Sequence, residues 1–149
     1  MNCGIMYNDP QPFPPPPLPP RFRNHLPKAE YKFFIRKTLT NGDMDNGLHF
    51  VGSATSYFQE LPDSYQDKLY SEGVTVQCYF LGGSCSLKIF KGCPDRNIFY
   101  RIQKDSSVEI VARLALQARQ KIDCWGVMSP HHGLTIKLDE NVWRYKSDV

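Results

Sequence analysis

With 149 residues, 41% of them hydrophobic and 22% charged, the chain has the composition of one ordinary globular domain and is too short for two. A mean hydropathy of −0.45 without any long apolar run excludes a membrane-spanning helix. The net charge of +3 falls short of the basic excess of dedicated nucleic-acid binders, and charges alternate in sign along most of the chain.

The opening residues carry neither a basic segment nor an apolar run, so no secretory signal is expected. Five cysteines (Cys3, Cys78, Cys85, Cys93 and Cys124) form no C-x-x-C pair and complete no zinc pattern with the four histidines. Free thiols in a reducing compartment are the expectation, hence a cytoplasmic or nuclear location, with no metal or other cofactor. From Asp9 to Pro20 the chain reads DPQPFPPPPLPP and holds most of its 12 prolines. Proline fixes φ and lacks the backbone donor, so polyproline II is expected there. Such a stretch buries no core of its own. Residues 1–28 are therefore expected as a disordered proline-rich tail, and residues 29–149 as a single domain.

Residues 31–37 alternate as a strand, 41–47 are dense in turn formers, and 48–51 return as a hairpin partner. Residues 61–70 read as a short helix, with Pro62 in its first turn, Leu61, Tyr65 and Leu69 on one face, and Gly73 at its end. The clearest element is a hairpin of residues 74–81 and 84–90 around Gly82-Gly83, since primed turns need positive φ. With that loop Phe80 faces Cys85, and Val74, Val76, Cys78, Leu87 and Ile89 share their core-facing side. Cys78 and Cys85 would then be diagonal, a poor geometry for a disulfide. Residues 98–102 form a third strand. Ser106 and Glu109 match a capping box for an amphipathic helix over 108–122, with Val111, Leu114, Ala115, Ala118 and Ile122 on its apolar stripe. Short strands over 134–138 and 142–145 complete an α+β fold, a small antiparallel sheet covered by that helix.

The most specific motif is Phe13-Pro14-Pro15-Pro16-Pro17-Leu18-Pro19-Pro20-Arg21. Phe13 with its four prolines resembles the ligand consensus of EVH1 domains. Pro16, Pro19 and Arg21 resemble a class II SH3 ligand, and Pro16-Pro17-Leu18-Pro19 a WW-domain ligand. A polyproline II ridge is rigid before binding, so docking into an aromatic groove loses little entropy. The expected function is thus a non-catalytic protein–protein interaction module, an adaptor or accessory subunit. Its partner-binding residues would be Phe13, Pro14, Pro16, Pro17, Leu18, Pro19 and Arg21.

The alternative is a small RNA- or other nucleic-acid-binding module. The helix–three strands–helix order of residues 61–122 resembles double-stranded-RNA-binding and signal-recognition-particle Alu-type domains. Asp105 and Glu109, at the start of the second helix, would repel phosphate there. The cations available are Lys88, Lys91, Arg96, Arg101 and Lys104, with Phe90, Phe99 and Tyr100 as neighbouring aromatics for base stacking. Residues 19–22 and 31–36 resemble the opening of the meiotic telomere-tethering MAJIN proteins, over less than a fifth of the chain.

For catalysis only Asp123, Cys124, His131 and His132 come together in sequence, without a nucleophile elbow, phosphate loop or HExxH pattern, and no enzyme is expected. Trp143 and Tyr145 are expected in the core, and residues 147–149 fit a class I PDZ ligand. The edge of the strand over 31–37 offers a place for a second copy or a partner strand.

Overall fold

The computed structural model describes residues 10–22, 30–80, 82–92, 98–129 and 133–140. A 3-10 turn at Pro20–Phe22 precedes β1 (Lys32–Thr38), α1 (Asn41–Asn46), β2 (His49–Phe50), α2 (Ser53–Gln59) and α3 (Asp63–Tyr70). Then come β3 (Val74–Phe80), β4 (Gly83–Gly92), β5 (Phe99–Ile102), α4 (Lys104–Leu114), β6 (Lys121–Ser129) and β7 (Gly133–Asp139). No helix among the described residues is long and apolar enough to cross a membrane.

The seven strands form one mixed sheet in the order β1-β6-β7-β3-β4-β5-β2. Every neighbouring pair is antiparallel except β3 and β7, which run parallel. The sheet curls into a nearly closed barrel. Its two edge strands approach through Phe34 of β1 and Phe50 of β2, whose rings meet edge to face at 5.8 Å. This replaces the expected small antiparallel sheet under one long helix.

Three local expectations change with it. β1 does not pair with residues 48–51; it pairs with β6, Arg36 opposite Asp123, while β2 joins β5. The turn-forming segment between them is α1, closed by a capping box in which Thr40 and Asp43 bond each other's backbone N–H. The expected helix over 108–122 is two elements. α4 begins at Lys104, and Ser107 is buried with its hydroxyl accepting the Leu48 N–H at 2.8 Å. The helix then stops at Ala115, which takes the left-handed conformation with φ 51°. Ile122 lies in β6, where it and Cys124 point inward while Asp123 and Trp125 point outward.

The central hairpin is present with its core face as expected: Val74, Val76, Cys78, Phe80, Leu87 and Ile89 are buried. Its register differs by one pair. Phe80 lies opposite Gly83, so Cys78 and Cys85 are directly opposed, both as free thiols. Arg113 of α4 packs against this turn. Its guanidinium donates to the Ser84 carbonyl at 3.0 Å and stacks on Phe80, and a Cβ at Gly83 would come within 2.6 Å of it.

The barrel interior is plugged by an aromatic cluster that includes α2, an element with no counterpart in the sequence expectations. Tyr57 stacks on Phe34 at 4.9 Å and Phe58 tilts against Tyr100 at 4.6 Å. Tyr57 also fixes the residue across from it, since a Cβ at Gly126 would sit 2.5 Å from its hydroxyl oxygen. Gly126→Ala is therefore expected to destabilise the fold by about 1–3 kcal/mol through overpacking, measured as a drop in the urea midpoint at unchanged m-value.

Candidate functional site

Strand alternation gives the barrel an outer surface with two halves of different character. On β1, β6 and β7 the outward positions include Arg36, Asp123, Trp125, Lys137 and Asp139, brought side by side by the register. This half is heavily paired. Arg36 holds Asp123 through two bonds of 2.7 and 2.9 Å, and that hydrogen bond raises the guanidinium's pKa further.

The proline-rich segment lies on this half. Gln11 uses its side-chain amide as a strand would use its backbone, accepting from the Arg36 N–H at 2.8 Å and donating to the Arg36 carbonyl at 2.9 Å. The Trp125 indole N–H donates to the Pro16 carbonyl at 3.1 Å. Arg21 forms an ion pair with Asp139, and Phe22 is completely buried, its carbonyl accepting from the Lys137 ammonium. Lys137 also sits 4.1 Å above the Tyr31 ring, and burial lowers its pKa to about 8. The described part of the segment, residues 10–22, is thus packed against the barrel. The boundary expected near Lys28 falls among residues 23–29, outside the described residues.

Of the partner-binding residues expected from sequence, Phe13, Pro14 and Pro17 are exposed, whereas Pro16, Leu18 and Pro19 are half-buried against the barrel. Arg21 forms an ion pair with Asp139 within the chain.

The other half, on β3, β4, β5 and β2, is open. Its cross-strand pairs are Thr75 with Lys88, Gln77 with Ser86, Phe90 with Arg101, and Arg101 with His49. No outward position of these four strands carries a carboxylate among the described residues. Phe90 and Phe99 lie over glycines, where a Cβ would come within 2.7 Å of Phe90 at Gly73 and 2.4 Å of Phe99 at Gly92. Each ring covers bare backbone on one side and remains half-exposed on the other. The Phe99 ring meets His49 edge-on at 6.1 Å, and the His49 Nδ1 lies 2.9 Å from the Asp43 carboxylate beneath.

The structure therefore brings Lys88 and Arg101 onto one face, with Lys104 exposed just beyond it, where Arg101 and Lys104 flank Gly47. The ion pairs among the described residues involve none of these three. Lys91 is separated from them by strand parity and lies over the Tyr70 ring at 4.7 Å. Tyr100 is wholly in the core, so it has no stacking face to offer. Arg96 is outside the described residues. His49 was missed by sequence reasoning, because its place depends on β2 joining β5 rather than β1.

The residues considered for catalysis are divided. Cys124 faces the core with its thiol pKa driven well above normal by burial, while Asp123 faces outward to Arg36. His131, His132, Trp143, Tyr145 and residues 147–149 lie outside the described residues. No group of three potential metal ligands occurs among the described residues.

No family model and no curated protein matches the chain. Among solved structures, an Arabidopsis FUS3–DNA complex has a chain similar to this one. It aligns at 15% identity with a TM-score of 0.48, over 72% of this chain and 96% of that one. A likeness of that strength carries no argument about what this chain binds.

Proposed function

We propose that this chain is a small nucleic-acid-binding module whose open face on β4, β5 and β2 receives a single-stranded segment. The supporting observation is the company kept by Lys88 and Arg101. They share a face with two half-exposed phenylalanine rings and no carboxylate, while Arg21, Arg36, Lys37 and Arg113 all have acidic partners. Cations that track a phosphate backbone, interleaved with rings on which bases stack, are what a single strand requires. A duplex is a poorer fit, since the start of α4 carries the exposed carboxylates Asp105 and Glu109, which would repel phosphate.

The test is fluorescence anisotropy with a labelled oligouridine and an oligothymidine, each of about 12 nucleotides, over a salt series. Three engaged cations predict a slope of log affinity against log salt of about −2 for a single strand. Lys88→Ala and Arg101→Ala should each weaken binding and reduce the steepness by roughly 0.7. Affinity that is flat with salt, or indifferent to both substitutions, would rule the reading out.

A further inference from the structure

The docked proline segment leaves one large apolar side chain with no role in the fold. Phe13 is 94% exposed, the most exposed large hydrophobic residue described. It lies between two fixed points, the Gln11 amide on the β1 backbone and the Pro16 carbonyl on Trp125.

A polyproline II helix has three residues per turn, so Phe13, Pro16, Pro19 and Phe22 would share one edge of a straight ridge. Three of the four face the barrel: Pro16 and Pro19 are half-buried and Phe22 is fully buried. The chain bends at Phe13 and Pro14, which takes Phe13 off that edge and turns it to solvent. The edge that an SH3 domain would read, with Pro16, Pro19 and Arg21, is consequently the one pressed against the protein itself. The WW-type stretch is occupied in the same way, its first carbonyl taken by Trp125. What remains outward is Phe13, Pro14, Pro15 and Pro17.

We infer that residues 13–17 are a displayed ligand for a protein partner of the EVH1 type, whose aromatic-lined groove takes proline rings and whose neighbouring pocket takes the Phe13 ring. The barrel acts as its mount. Anchoring on either side of Phe13, at Gln11 and at the Pro16 carbonyl on Trp125, holds the segment before any partner arrives, so binding loses less conformational freedom than with a free peptide. This surface is separate from the open strand face, and its test does not depend on nucleic-acid binding.

The experiment is calorimetric titration of the full chain with a purified EVH1 domain and, separately, with a purified class II SH3 domain. The EVH1 domain should bind the unaltered chain. Phe13→Ala should weaken this about tenfold or more, as expected for a central aromatic anchor, with no change in melting temperature because the side chain packs on nothing. Arg21→Ala should leave EVH1 affinity within about threefold, because Arg21 contacts the barrel and not the partner. The inference is overturned if the EVH1 domain fails to bind. It is equally overturned if Phe13→Ala binds normally, or if the SH3 domain binds and Arg21→Ala abolishes that binding.

Discussion

Asp43→Ala is expected to cost about 3–5 kcal/mol of stability, the range for removing one partner of a buried ion pair. Asp43 is completely buried and joins three elements. Its carboxylate accepts from the Thr40 N–H at 2.7 Å, from the His49 N–H at 3.2 Å and from the His49 ring at 2.9 Å, and pairs with the Lys37 ammonium at 3.2 Å. Alanine leaves Lys37, itself buried, with its charge uncompensated at the seam between β1 and β2. In a domain of this size the melting temperature should fall by about 10 °C. The same residue sets an acid limit. Burial pushes the Asp43 carboxyl upward, but the His49 hydrogen bond, the Lys37 charge and the Thr40 N–H together hold it below the ordinary value. Its stabilisation is therefore complete above the unfolded carboxyl pKa of about 4 and is lost as pH falls below that, through the lower folded value. Chemical denaturation at neutral pH and below pH 4 should show a smaller acid loss in the variant than in the unaltered protein. Equal stability at neutral pH would contradict this role.

Phe22→Ala is the second large effect, at about 3 kcal/mol, near the lower end for emptying a buried phenylalanine site. Its cause lies in the proline segment being part of the fold. Phe22 is fully enclosed, Lys137 donates to its carbonyl, and Arg21 beside it reaches Asp139. The variant should melt lower, and the Trp125 indole proton, which is covered by the Pro16 carbonyl, should exchange faster with solvent by NMR. A segment that merely trails from the domain would leave both measurements unmoved.

What the sequence disclosed and what it concealed divide along chain separation. The β3–β4 hairpin, its core face and the helix at α3 were legible because each depends on residues within about fifteen positions. The turn's one-pair difference goes with a contact the local sequence does not reveal, the Arg113 guanidinium some thirty residues away bonding the Ser84 carbonyl. β6 was hidden by Ala112, Ala115 and Ala118 with the intervening glutamines and arginines, a run whose helical propensity overrides the short alternation at Ile122–Trp125. Tertiary pairing with β1 decides otherwise. The same limit applied to function. Lys88 and Arg101 were named from composition, but their common face, and the parity that removes Lys91, required the β4–β5 register. Arg21 reads in the sequence as a specificity residue for a partner, whereas its bond to Asp139, 118 residues away, is visible only in the fold.

That long reach also bears on how the protein is made. Arg36 meets Asp123 across 87 positions, Pro16 meets Trp125 across 109, and Phe22 meets Lys137 across 115. Such contacts place the fold among the slower topologies, since large loops must close before these pairings reward them. On the ribosome β1 emerges first and waits for β6, its hydrogen-bonding edge and the Phe33 ring, which packs on Trp125, exposed until nearly the whole chain has been synthesised. Codons that delay translation between β5 and β6 would lengthen that interval, and aggregation during synthesis should rise with it.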